Sequence, residues 1–280
     1  MKHSIFLFFS SLLFLAAVSV QAGEKIVVEV VVTKGNSVEK SIEIVTYDEN
    51  RFRIDLPVDT KEVTAETPYI MSVDNGENWV IGDKPKDRFY CSQMQTDVFF
   101  KNLGAQVTSA IDFFNVKTDA PTVKKIFEKP GPEIEGLKTT HLRLETDARA
   151  YARIFFIKFE YSAKVTDDIW YTTEAEIHPV KKKWMDALSQ SGNNLIDQLT
   201  EGFTSNLPGP ILKRESVVDI TDMRKNETKT EVITSNIIDV IELDKAELDK
   251  VFQLPECEAM DDDEVQEKAK ALFSAGKIML

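Results

Sequence analysis

The chain has little of what builds a metal centre or a histidine-based active site: three histidines and two cysteines among 280 residues. One of the three, His3, lies in the extreme N-terminal segment, which leaves His141 and His178. No HExxH, GxSxG, P-loop or CxxC pattern occurs. A paired-histidine zinc site, a serine nucleophile elbow, a phosphate-cradling glycine loop and a dithiol redox pair therefore all lack their residues. Positive charge is also short. Lys and Arg total 34 against 47 Asp and Glu, a net of −13. A nucleic-acid binder needs a basic face that displaces counterions from phosphates, so that class is excluded as well. Glycine and proline are scattered, with no low-complexity tract, repeat or linker. What is plentiful is apolar surface. At 42% hydrophobic residues the chain buries a core instead of remaining disordered.

The first of that apolar surface is an address. Lys2 and His3 precede an apolar stretch from Ile5 to Val18, broken only by Ser10 and Ser11, and Val20-Gln21-Ala22 places small residues at the −3 and −1 positions. Residues 1–22 read as a secretory signal peptide. The run is short for a membrane span, which needs about 20 apolar residues. No later stretch reaches that length, so no transmembrane segment is expected. No cysteine follows the cleavage site, so no lipidated N-terminus is expected either. The mature chain is Gly23–Leu280, and loss of Lys2 takes its net charge to −14. Export exposes Cys91 and Cys257 to an oxidising compartment. They can form one intramolecular disulfide, pair between chains or stay as thiols, since sequence does not supply the Cα separation.

The mature chain alternates like a sheet. Ile26, Val28, Val30 and Val32 share one face, and Val38, Ile42 and Ile44 share another. Asp48-Glu49-Asn50 turns into a strand over 51–56, followed by a loop over 57–67. Asp74-Asn75-Gly76 predicts a hairpin, because Asn and Gly tolerate positive φ. The period then lengthens. Val98, Leu103, Val107, Ile111 and Phe114 predict a helix over 94–114. Strands resume near 123–128 and at Leu142 and Leu144. Tyr151, Phe155, Phe159 and Tyr161 read as one face of a long strand, and Trp170 opens the next. A single helix over 179–203 follows, with Pro179 at its first position and Trp184, Leu188, Leu195, Leu199 and Phe203 as its stripe. Strands at 211–220 and 228–243 are joined by a turn at Arg224-Lys225-Asn226. A turn-like segment leads to 251–255, and Asp261 with Glu264 forms a capping box for a final acidic helix. One α+β domain over 23–280 is expected.

The order of these features resembles the periplasmic lipoprotein-carrier (LolA/LolB-like) superfamily. The residues that carry the resemblance are the strand pair, Asp48–Asp55, the Asp74-Asn75-Gly76 hairpin, Asp168-Ile169-Trp170, Gly209-Pro210-Ile211-Leu212 and Phe252-Gln253-Leu254-Pro255. In particular the chain is similar to a family of uncharacterised exported bacterial proteins with that fold. The resemblance implies a curved, unclosed antiparallel sheet, a half-barrel whose concave face is covered by helices and holds acyl chains. It implies a strand arginine near the cavity that helps to hold the lid, here Arg53 or its neighbour Arg51. The aromatic candidates for the pocket are Trp79, Tyr151, Phe155, Phe159, Tyr161, Trp170 and Trp184, with Leu188 on the covering helix. Each of these also suits ordinary core packing.

The expected function is a soluble periplasmic, non-enzymatic binding protein for a lipid, an acyl chain or an acylated protein. It needs no cofactor and no metal. The alternative is an interaction module for an envelope protein partner, docked through the acidic surface or the final helix. Lys181-Lys182-Lys183 is either an anionic-headgroup contact or a solvated helix start. The acids at 256–264 lack the ligand spacing and turn glycine of an EF-hand. Export from a secreting host should yield a protein whose intact mass begins at Gly23. A mass that retains residues 1–22 would contradict the leader reading.

Overall fold

A computed structural model describes residues 23–58, 68–83, 89–113, 116–154, 157–254 and 256–259. Six strands open the chain: β1 Gly23–Lys34, β2 Ser37–Tyr47, β3 Phe52–Val58, β4 Tyr69–Ser72, β5 Asn78–Asp83 and β6 Tyr90–Gln95. Helix α1 Thr96–Phe113 leads to β7 Val116–Thr118, β8 Thr122–Pro130, β9 Thr140–Ile154 and β10 Ile157–Tyr171. Helices α2 Pro179–Leu188 and α3 Asn194–Thr204 precede β11 Ile211–Asp222 and β12 Glu227–Leu243. Helix α4 Lys245–Val251 and the short β13 Glu258–Ala259 complete the described elements.

All the strands belong to one curved, unclosed sheet in the order β13-β6-β5-β4-β3-β2-β1-β12-β11-β10-β9-β7, with β8 also on β9. Every pairing is antiparallel except β13 with β6, which corrects the expectation of a purely antiparallel sheet. The two halves of the chain meet where β1 pairs with β12 from Gly23↔Leu243 to Lys34↔Glu231. Bulges between Val27 and Val28, Ile42 and Ile44, and Trp170 and Tyr171 bend the sheet.

Strand alternation gives the sheet two faces. The inner face carries Ile26, Val28, Val45, Phe52, Ile54, Leu142, Ile169 and Leu212, packed with residues of α1, α2 and α3. The outer face near β4 and β5 carries Tyr69, Met71 and Val80 under Leu248 and Phe252 of the C-terminal segment. Cys91 and Cys257 are disulfide-bonded with a Cα separation of 5.7 Å, tying that segment to β6. The Asp74-Asn75-Gly76 hairpin forms as expected, with Asn75 at φ +56° and Gly76 at φ +78°.

Four expectations need correction. The helix expected over 179–203 is two helices. Gly192 takes φ +80°, and the Asn193 side chain accepts the N–H groups of Leu195 and Ile196 at 3.1 Å, so a new N-terminus starts there. The apolar face of α1 is carried by Phe99, Phe100 and Leu103, whereas Val98 is 40% exposed. The long strand expected from Tyr151 to Tyr161 is a hairpin, β9 to β10, with Ile154 paired to Ile157. The turn expected before 251–255 is helix α4, where Asp244 and Glu247 form a reciprocal capping box. The expected leader over 1–22, most of the expected loop at 57–67 and the expected final helix from Asp261 lie outside the described residues.

Removing the disulfide with Cys91→Ser/Cys257→Ser should lower unfolding stability by about 2–5 kcal/mol, because it frees a long loop in the unfolded chain. Urea unfolding of oxidised protein measures this. Equal midpoints for variant and parent would contradict a stabilising role.

Candidate functional site

The inner face has a part beneath the helices and a part beyond them. Under the helices, Trp79 on β5 stacks on Trp184 of α2 with ring centroids 3.5 Å apart. Phe52 meets Trp184 edge-on at 4.9 Å, and Phe99 stacks on Trp79 at 5.7 Å. Leu188 is buried in the same cluster. Trp79, Trp184 and Leu188 therefore fill the space that the sequence reading assigned to a ligand. Large aromatic rings in mutual contact are core, and they hold the helices to the sheet. His178 sets the angle of α2: its Nε2 lies 2.6 Å from the Asp48 carbonyl and its Nδ1 accepts the Val180 N–H at 3.3 Å. Only the neutral ring can donate at one nitrogen and accept at the other. Burial pushes its pKa down in the same sense.

Beside this aromatic core runs a buried polar band. Arg214 on β11 donates from Nε and Nη2 to Asp167 Oδ1 at 2.9 and 2.6 Å, and Ser216 donates to the same oxygen. The guanidinium lies 5.2 Å from the centre of the Phe203 ring on α3. Lys181 of α2 is buried near this pair, not solvated as a helix-start lysine would be. Burial and the nearby Arg214 charge push its ammonium down to about 7. Its neighbour Lys182 is exposed, and Lys183 pairs with Glu77.

Past the helices the inner face continues along β9–β12. The row Thr146–Val165–Val218–Glu231 is followed by Ala148–Ala163–Ile220–Lys229 and then Ala150–Tyr161–Asp222–Glu227. Ala163, Val165, Val218 and Ile220 are buried there, and Tyr161 packs against them. A cavity of about 270 Å³ opens at this end, lined by Phe159, Tyr161 and Ile220 and edged by Asp222, Arg224, Lys225, Glu227 and Lys229. Phe159 and Tyr161 are the expected pocket residues that reach an open cavity. The strand alternation at 163–165 and 218–220 was the available signal for the apolar cluster behind Ile220, but pairing of β10 with β11 was needed to place the two together.

The other candidates lie elsewhere. Arg53 is on the outer face, since Phe52 and Ile54 take the inner one. It donates to Asp55 Oδ1 at 2.9 and 2.6 Å and to the Val251 carbonyl at 2.8 Å, and it stacks over Tyr69 at 4.2 Å. It is thus neither a cavity arginine nor a surface one, but an anchor for the end of α4. Burial raises the Asp55 carboxyl to about 6, outweighing the Arg53 charge beside it. Arg51 is half-buried on Asp48 and Asp249. Trp170 is also on the outer face. Its ring stacks on His141 at 4.3 Å, and Lys213 lies 4.7 Å from its centroid. His141 and Arg143 both bond Asp168, at 2.7 Å and at 2.9 and 2.7 Å. Burial alone would raise the Asp168 carboxyl, but those bonds hold it below the ordinary range. This is a cross-strand ladder already in contact with itself. Tyr151 pairs with Glu160, across the sheet from Tyr161's side, and bonds Asp119 at 2.6 Å. Phe155 lies outside the described residues.

Among the described residues no cluster of three or more His, Cys, Asp or Glu side chains could hold a metal ion. No helix there is long and apolar enough to cross a membrane. No family model matches the chain, and no curated protein matches it. Among solved structures it is similar to PNGF-II in a C2 crystal form, with 11% identity and a TM-score of 0.37, over 90% of this chain and 33% of that one. For the P21 form the identity is 10% and the TM-score 0.35, over 88% and 33%. The chain thus spans about a third of that protein's length. Likeness at these scores defines neither a shared fold nor a shared activity.

Lys181 makes a prediction about pH. Its folded-state pKa is below its ordinary 10.5. Between about 7 and 10 the unfolded chain then holds more protons than the folded one, so stability rises with pH. Chemical unfolding at pH 7, 8 and 9 should show this rise, and Lys181→Met should remove most of it. The same slope in the variant would contradict the assignment.

Proposed function

We propose that the protein is a periplasmic, non-enzymatic binding protein of the lipoprotein-carrier type. It holds the apolar part of a lipid or acylated partner against the inner face of a half-barrel sheet. The observation that carries this reading is the cavity beyond the helices, where Phe159, Tyr161 and Ile220 meet. Ile220 is its apolar floor, backed by the buried Ala163, Val165 and Val218, and the Phe159 and Tyr161 rings edge it. Apolar chains gain about 25 cal/mol for each Å² removed from water, so such a surface binds without covalent chemistry.

Size limits the occupant. At about 270 Å³ the cavity is just below the roughly 300–1,000 Å³ of ordinary ligand pockets. It takes one end of a chain and leaves the rest of the ligand outside. The packed Trp79–Trp184 core argues against a second chain beneath the helices. A disulfide suits an exported protein, because such bonds persist in oxidising compartments. The leader-like residues 1–22 point the same way.

The neutral fluorescent probe N-phenyl-1-naphthylamine tests the pocket. The mature protein should bind it, and Tyr161→Asp should weaken binding by about tenfold, the effect of about 1.4 kcal/mol. Absence of binding by folded protein, or binding unchanged in the variant, would overturn the reading.

A further inference from the structure

We infer that the cavity at the β10–β12 end selects amphiphiles with an anionic head, and specifically long-chain carboxylates. The inference rests on the pocket reading above and adds the chemistry of the head. The rim holds three cations and two acids, and the acids are already engaged. Asp222 Oδ1 accepts the backbone N–H groups of Arg224 and Lys225 at 3.1 and 3.2 Å, and its Oδ2 faces the Tyr161 hydroxyl at 3.5 Å. Glu227 pairs with Lys225 at 3.9 Å. In the next row, Glu231 pairs with Lys34 at 3.6 Å.

Arg224 and Lys229 are left over. Among the described residues neither side chain makes an ion pair, and the Arg224 guanidinium rests 5.2 Å from the centre of the Phe159 ring. Their placement relates head to tail. Lys229 is the direct cross-strand partner of Ile220, so a cation stands beside the apolar floor in the same row. A carboxylate held by Arg224 and Lys229 would start a chain on Ile220. That chain would then lie between the Phe159 and Tyr161 rings that line the cavity with Ile220.

The rest of the charge distribution narrows the class. The chain carries −13 overall, which disfavours a polyanion such as a nucleic acid over its whole length. A single carboxylate escapes most of that field, because screening at physiological salt acts over about 8 Å. Inorganic phosphate or acetate would find the cations but leave the apolar floor in water.

Competition against N-phenyl-1-naphthylamine separates these cases, using decanoate, decanol and acetate on the parent and on Arg224→Gln/Lys229→Gln. Decanoate should displace the probe at about tenfold lower concentration than decanol, the effect of one charge-assisted contact. Acetate should not displace it. The double variant should bring decanoate to the level of decanol and leave decanol unchanged. Equal potency of decanoate and decanol on the parent would overturn head selectivity while leaving the pocket intact. Displacement by acetate at decanoate concentrations would show a site for the anion alone and overturn the amphiphile. A parent protein that binds no probe would overturn the pocket reading itself. The decanoate-to-decanol ratio of the parent decides the matter even if the double variant fails to fold.

Discussion

The pairing of β1 with β12 joins a strand that begins at Gly23 to one more than 200 residues later. It runs the full length of β1, and through it the meander β1–β6 and the set β7–β12 become a single sheet. Without that seam each half would present a long unpaired edge, with a row of unmet N–H and C=O groups. With it, Val28 and Val30 sit beside Ile237 and Ser235, and the inner face is continuous from Trp79 on one side to Leu142 on the other. The helices can then pack on one surface, and the bulges in β1 and β2 give it curvature.

Each face of the sheet is finished by a different device. Inside, a stacked tryptophan pair and three helices fill the concavity over the middle of the sheet. Outside, α4 and the segment after it lie over Tyr69, Met71 and Val80, anchored by Arg53 on the Val251 carbonyl and by Cys91–Cys257. The helices do not extend to the tips of β10–β12. There the inner face stays apolar on β10 and β11 for two further rows, carries Glu231 and Lys229 on β12, and becomes charged throughout at the turn around Arg224. The open cavity lies at that end, whereas Trp79, Trp184 and Phe99 pack ring on ring beneath the helices.

Local signals were legible in the sequence wherever short-range physics decides. Alternation found the strands, Asn75-Gly76 found the hairpin, and apolar spacing found the helix after β6. The break at Gly192-Asn193 was also written locally, but an unbroken apolar stripe from Trp184 to Phe203 hid it. Which face a side chain takes was harder, because it depends on where a strand ends. Reading Tyr151 to Tyr161 as one strand put Tyr151 beside Tyr161, whereas the hairpin at Ile154 and Ile157 turns it to the other side. Arg53 and Trp170 are displaced from the expected pocket for a related reason. Each alternates with inner-face neighbours, and only the pairing of whole strands shows that the outer face is also covered or laddered. The burial of Lys181 left no mark in a run of three lysines, since it depends on α2 lying across Arg214.

The account centres on an apolar ligand held where the helices stop. Methyl NMR of the mature protein titrated with decanoate tests this most directly. The Ile220 methyl resonances should shift saturably, while those of Ile54 and Ile70 beneath the helices stay in place. Shifts confined to the covered core, or none at saturating decanoate, would contradict it.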